Sequence, residues 1–267
     1  MELSGFLSEI SKTAIKLDFL TKDNNSSIGT SKFGGKPDVP PYFKWFYFEG
    51  EDQEGKRCKR PLSFLAQINC AEIKEYDKDK LLPTKGILYF FYEDRGSAQV
   101  YYFNGDISEI SRMDFPNDML DDCKLPEIKI SFSTKYDLPC FEEFTELYDY
   151  DDWDEYDNKL TQKGFEFEET ISKLLGYADL IQGGMLLECE KVTNGIYCGS
   201  SSENEPLKQK QLQENCGQWQ LLFQLDSVVR DGFELMFGDC GRIYYYIKKD
   251  DLMNCRFDDC WLILQCY

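Results

Sequence analysis

The sequence predicts an α+β fold with a predominantly β-sheet core and peripheral helices. Three observations predict it: an apolar share of 42% with 15% aromatics, apolar runs of strand length set apart by Gly- and Pro-rich turns, and helical spacing confined to a few segments. At 267 residues the chain suffices for one large domain or two small ones, and its composition lies outside the range in which chains stay disordered.

Residues 4–20 place Phe6, Leu7, Ile10, Ala14, Ile15 and Leu17 at helical spacing behind Ser4 as a candidate N-cap, so an opening amphipathic helix is expected there. A polar loop over 21–31 follows, so residues 1–30 read as a helix and linker ahead of a single domain over 31–267. In Phe33-Gly34-Gly35-Lys36-Pro37-Asp38-Val39-Pro40-Pro41, two glycines and three prolines cannot sustain a helix or a central strand and mark a shaped turn. Residues 42–48 read as an aromatic strand, 49–60 as a charged loop and 62–69 as a strand. A turn over 81–86 leads into an almost wholly apolar strand over 87–92, with 98–103 as its hairpin partner.

Residues 142–157 carry nine carboxylates among Phe144, Leu147, Tyr148, Tyr150, Trp153 and Tyr156, a mixture that suits a surface helix and loop better than a strand. Residues 183–192 read as a strand and 207–214 as a short helix. Three more strands are expected over 219–226, 242–247 and 261–266.

Leu65-Ala66-Gln67-Ile68-Asn69 can be laid over Leu222-Phe223-Gln224-Leu225-Asp226, and Gly86-Ile87-Leu88-Tyr89-Phe90-Phe91 over Gly241-Arg242-Ile243-Tyr244-Tyr245-Tyr246. A degenerate duplication of residues 31–105 and 173–267 accounts for the match. Chance likeness of two apolar strands accounts for it as well.

Lys32-Phe33-Gly34-Gly35-Lys36-Pro37 with Pro40, then Pro61-Leu62-Ser63-Phe64-Leu65-Ala66-Gln67-Ile68, then Leu82-Pro83 to Gly86-Ile87-Leu88-Tyr89-Phe90-Phe91, resembles the YwqG-like family. Leu175-Gly176-Tyr177-Ala178 with Ile181-Gln182-Gly183, the run from Trp219 to Ser227, and Phe237-Gly238-Asp239-Cys240-Gly241 resemble it too, so the likeness runs over about 31–267. The resemblance implies an α+β fold built around β-sheet. The family that the chain resembles is mainly bacterial and of unknown function, with no established catalytic residues, so the resemblance implies no reaction.

The formal charge of −19 repels phosphate backbones and anionic lipid, which speaks against nucleic acid and membrane and for a basic or neutral protein partner. No secretory leader pattern opens the chain and no 18-residue apolar run occurs, so a soluble cytoplasmic protein is expected. The 11 cysteines, odd in number and set in part within apolar runs, read as reduced thiols.

With no histidine, Ser-His-Asp, Cys-His and His-containing zinc sites are excluded. No C-x-x-C pair occurs, no register of 149–157 fits a calcium loop, and neither Gly34-Gly35 nor Gly238-Asp239-Cys240-Gly241 fits a nucleotide-binding fingerprint. No catalytic residue, metal or cofactor is therefore predicted. What is left is a candidate ligand set: Gln67 and Gln224 inside apolar strands, Gln182 and the glycines Gly34 and Gly35 at the rim, and Trp45, Tyr89 and Tyr244 as flat walls. The first reading of the same two glutamines is as structural amides that close neighbouring loops, with the ligand set as its alternative.

Two functions stand on this sequence. One is a non-enzymatic binding module for a basic or neutral protein partner, for instance the neutralising member of a bacterial toxin pair. The other is an enzyme or small-molecule sensor that uses a cleft between two similar halves. The sequence does not speak to oligomeric state.

Overall fold

The computed structural model describes residues 3–22, 26–51, 55–93, 96–166, 171–196, 206–230 and 233–267. In chain order the N-terminal half carries α1 (Leu3–Glu9), β1 (Lys12–Lys22), β2 (Lys32–Phe33), β3 (Asp38–Val39), β4 (Tyr47–Glu51), β5 (Arg57–Pro61), β6 (Ser63–Asn69), α2 (Cys70–Ile73), β7 (Ile87–Glu93), β8 (Ser97–Phe103), β9 (Ser111–Arg112) and β10 (Ile128–Asp137). There follow α3 (Phe141–Tyr148), α4 (Trp153–Gln162), β11 (Ser172–Leu175), α5 (Leu186–Thr193), α6 (Pro206–Asn215), β12 (Trp219–Asp226), β13 (Val228–Arg230), β14 (Phe233–Leu235), β15 (Arg242–Lys248), α7 (Lys249–Met253) and β16 (Trp261–Gln265). The architecture is α+β with a β-dominated core, as expected.

Four local expectations are corrected, the first being the aromatic strand over 42–48, of which only Tyr47 and Phe48 lie in a strand, β4. The helix expected over 4–20 ends at Glu9, and β1 takes over from Lys12. Thr13, Ala14, Ile15 and Leu17 are buried while Asp18 and Leu20 are exposed, so the strand is covered on both faces at its start and on one face further on, and β-branched Thr13 and Ile15 favour the strand. The strand expected over 183–192 is helix α5, whose buried Leu186, Cys189 and Glu190 lie at helical spacing. Its first amides are held by Glu146, which accepts from Leu186 N at 3.0 Å and Leu187 N at 3.4 Å. The charged loop expected over 49–60 is the β4–β5 hairpin, in which Glu49 faces Lys59 and pairs with it. Its charges sit on a solvated ribbon, where cross-strand pairing replaces core burial.

The chain divides into two compact units. Unit 1 comprises Met1–Lys16, Thr134–Asp250 and Ile263–Tyr267, and unit 2 comprises Leu17–Ser133 and Asp251–Leu262. Within unit 2 the strands run in the order β2-β6-β7-β8, antiparallel throughout, with a bulge at Leu65 between Phe64 and Ala66. Trp45, Phe64, Tyr89 and Phe91 pack with Val39, Phe43 and Leu62 into its core. In unit 1 the order is β11-β12-β15-β16, and β12 against β15 carries a bulge at Leu222 between Leu221 and Phe223. Helices α1, α3 and α4 supply a core of Leu7, Phe144, Tyr156 and Leu160.

Candidate functional site

In unit 2, β2 places Lys32 opposite Gln67 of β6, and β7 places Tyr89 opposite Gln67 on the other side. Gln67 is wholly buried. Its Oε1 accepts from Asp38 N at 2.9 Å, and its Nε2 donates to Thr30 O and Asp38 Oδ2, each at 2.8 Å. The Tyr89 hydroxyl donates to Asp38 O. Lys32 Nζ donates to Lys36 O and Glu127 Oε2 at 2.7 Å and stands 3.9 Å from Asp38 Oδ2. Arg112 closes the cluster from β9, its Nε 2.8 Å from Asp38 Oδ1 and its Nη2 3.3 Å from Asp38 Oδ2. Gly34 and Gly35, with φ of +59° and +69°, let the backbone pass close to residues 126–127. A Cβ on Gly34 would stand 2.2 Å from Pro126 O.

Unit 1 repeats the glutamine and tyrosine bonds of this arrangement around Gln224, which is also wholly buried. Lys173 of β11 stands opposite Gln224, and Tyr244 of β15 stands on its other side. Asp179 N donates to Gln224 Oε1 at 2.9 Å, and Gln224 Nε2 donates to Ile171 O and Asp179 Oδ2, each at 2.8 Å. The Tyr244 hydroxyl donates to Asp179 O at 2.8 Å. Lys173 Nζ lies 2.7 Å from both Asp137 Oδ2 and Asp179 Oδ2. Leu175 and Gly176, with φ of +60° and +75°, stand where unit 2 has its glycine pair.

The sequence-predicted residues are therefore distributed between the units: Gly34, Gly35 and Gln67 in unit 2, Gln182 and Gln224 in unit 1. Both donors of each buried glutamine are used within its own unit. Gln182 is exposed, donates from Nε2 to Cys266 O at 2.7 Å, and shares no partner with Gln224. Of the proposed walls, Tyr89 and Tyr244 are wholly buried and Trp45 is packed in the core of unit 2 with its Nε1 donating to Leu62 O. Sequence reasoning missed the lysines and aspartates. Their signal is the spacing Lys-x-x-Gly-x-x-Asp, which occurs at Lys32, Gly35 and Asp38 and again at Lys173, Gly176 and Asp179.

Beside Asp179, unit 1 opens into a cavity of about 420 Å³. Phe141, Tyr156, Leu160 and Trp153 from α3 and α4 form its apolar wall, and Glu142 and Asp157 bring carboxylates to it. Trp153, held at the start of α4 behind the Asp152 cap, is 54% exposed. At the buried end lie Asp179 and Arg242, each 5% exposed. Arg242 is already engaged, with Nε on Asp226 Oδ2 and Nη1 on Asp179 O, both at 2.9 Å. Asp179 Oδ1, in contrast, accepts no hydrogen bond among the described residues. Burial pushes the Cys140 thiol up to about 12, so it is protonated and unreactive at neutral pH.

Residues 31–266 match a domain of unknown function, DUF1963. The chain belongs to the DUF1963 family. Among the curated proteins no sequence matches it. In this DUF1963 chain ten cysteines lie within the described residues and all are free thiols, while Cys198 lies outside them. Among the described residues no group of three His, Cys, Asp or Glu side chains could hold a metal ion, and no helix is long and apolar enough to cross a membrane.

Proposed function

We propose that this chain is a non-enzymatic binding module whose α3–α4 face engages a basic protein partner. One observation carries the reading. Glu142, Asp149, Asp151, Asp152, Asp154, Glu155 and Asp157 are all exposed, and none forms an ion pair among the described residues. They surround a tryptophan that is itself half exposed, and exposed aromatic rings among uncompensated charge are more typical of an interface than of a merely solvated helix. The negative charge of the whole chain favours the same class of partner and disfavours nucleic acid and anionic membrane. In its narrowest form the partner is a toxin that this chain neutralises, inside the cytoplasm. The matched networks around Gln67 and Gln224 support an internal duplication, and the motifs quoted above support membership of the YwqG-like proteins.

The test uses the full chain as bait against the proteome of its own cell, followed by purification of any captured basic protein. Its affinity is then measured for the wild type and for a variant with Asp151, Asp152, Asp154 and Asp157 changed to Asn. The expected result is a Kd that rises at least about tenfold between 50 and 300 mM salt, as screening of exposed charge requires, and rises comparably on neutralisation. A partner whose affinity ignores both changes would overturn the reading.

A further inference from the structure

Resting on that reading, we propose that the cavity of unit 1 receives an arginine side chain from an extended segment of the partner. The argument comes from comparing the two units. In unit 2, Asp38–Val39 pairs with Ser111–Arg112, with Asp38 opposite Arg112 and Val39 opposite Ser111. This short ribbon delivers the Arg112 guanidinium to both oxygens of Asp38 and brings its Nη1 within 3.7 Å of Glu127 Oε2. The cluster is then charge-balanced, with Lys32 and Arg112 facing Asp38 and Glu127.

In unit 1, Asp179 and Leu180 stand where Asp38 and Val39 stand, fixed by the same bonds to Gln224 and Tyr244. No strand pairs with Leu180 among the described residues. Asp179 and Leu180 instead line the cavity. Here two cations, Lys173 and Arg242, serve three carboxylates, Asp137, Asp179 and Asp226, so one cation is lacking among the described residues. Asp137 Oδ1 is buried without a hydrogen-bond partner, and Asp179 Oδ1, the counterpart of the oxygen that receives Arg112 Nε, has no donor among the described residues.

The lining suits a guanidinium in particular. Its planar fork bonds a carboxylate and stacks on rings, here those of Trp153, Phe141 and Tyr156, whereas an ammonium is a point charge that keeps its water. Glu142 and Asp157 add two further carboxylates. Arg242 does not spoil the site, because Asp226 already neutralises it.

The test probe is residues 110–113, Ile-Ser-Arg-Met, as an acetylated and amidated peptide, the segment that fills the equivalent place in unit 2. It is titrated into the full chain by calorimetry, alongside the same peptide with citrulline for arginine and alongside free L-arginine. The expected order is arginine peptide tightest and citrulline peptide at least about tenfold weaker, which is the weight of one charge-assisted contact. Trp153→Ala and the double change Glu142→Gln with Asp157→Asn are each expected to weaken the arginine peptide several-fold. All three residues are exposed, so folding is not at stake. Equal binding of the citrulline peptide, indifference to these variants, or no binding at millimolar peptide overturns the inference. Free L-arginine binding as well as the peptide also overturns it, in favour of a small-molecule site. A basic partner retained with steep salt dependence but indifferent to Trp153→Ala would leave the function standing and remove only the cavity's role.

Discussion

Replacing Gln67 by leucine removes one bond from Asp38 N and two given by Nε2, all at 2.8–2.9 Å, the two to Asp38 buried and the one to Thr30 O partly so. The Asp38 amide and the Thr30 carbonyl are left without partners. Taking about 2 kcal/mol for each stranded group and roughly 1.5–2 kcal/mol returned by burial of the apolar side chain, the net loss is about 2 kcal/mol. The sharper part of the prediction concerns Gln224→Leu. Its network has the same bonds at the same lengths, so the two variants should lose equal stability to within about 1 kcal/mol. Gln182→Leu, at an exposed position, should stay within about 0.5 kcal/mol of the wild type. Urea denaturation followed by tryptophan fluorescence measures all three. A loss below about 1 kcal/mol at either buried glutamine would refute the reasoning and reopen those side chains to a ligand-binding role.

Two further predictions concern the charges. Lys173→Met removes the ammonium that bridges buried Asp137 and Asp179 and should cost about 3–5 kcal/mol, whereas Lys32→Met leaves Arg112 on both oxygens of Asp38 and should cost clearly less; equal midpoint shifts in urea would contradict this. Burial pushes the Glu143 carboxyl up from 4.5 to about 7, against the opposing charge of Lys12. The folded chain then binds more protons than the unfolded chain between about pH 4.5 and 7, so this group's contribution falls as pH rises through that window and stays low above it. Glu143→Gln should therefore match the wild type near pH 4.5 and exceed it above pH 7, and a parallel pair of stability profiles would count against the buried carboxyl as the cause.

Most strands were legible because their burial is complete. The run over 87–92 is apolar at nearly every position and all of β7 is buried, so length and flanking turns sufficed to identify it. Where half a strand faces solvent, the same residues fit both periods, and Ala14-Ile15 with Leu17 was read on the helical one. The short strands β2, β3, β9 and β11 were illegible for another reason. Each has two to four residues and is fixed by side-chain bonds to Gln67, Asp38 or Gln224, which are contacts across as many as 74 positions of sequence. The glutamines stood out as polar residues in apolar runs. Their lysine and aspartate partners did not, because in an acidic chain a lone Lys or Asp near a glycine turn is unremarkable until the two copies are aligned.

The equivalent lysines titrate in opposite directions, and this follows from how each network is completed. Burial lowers the Lys32 ammonium, with the Glu127 hydrogen bond and the Asp38 charge pulling back and Arg112 pushing the same way as burial. Lys173 is also opposed by burial, yet its ammonium is raised because Asp137 and Asp179 both sit at 2.7 Å from it. One backbone framework therefore carries two charge states. In unit 2 the chain supplies its own arginine to Asp38 and the cluster is closed; in unit 1 Lys173 bridges two carboxylates, and Asp179, one of them, lines an aromatic-walled cavity. If an arginine enters there, Lys173 acquires a like-charged neighbour, as Lys32 has in Arg112. Its ammonium should then shift downward, towards the behaviour of Lys32. Nitrogen-15 NMR of the Lys173 side chain, titrated with and without the arginine peptide, reads that shift; an unchanged titration in the presence of bound peptide would place the guanidinium away from Asp179.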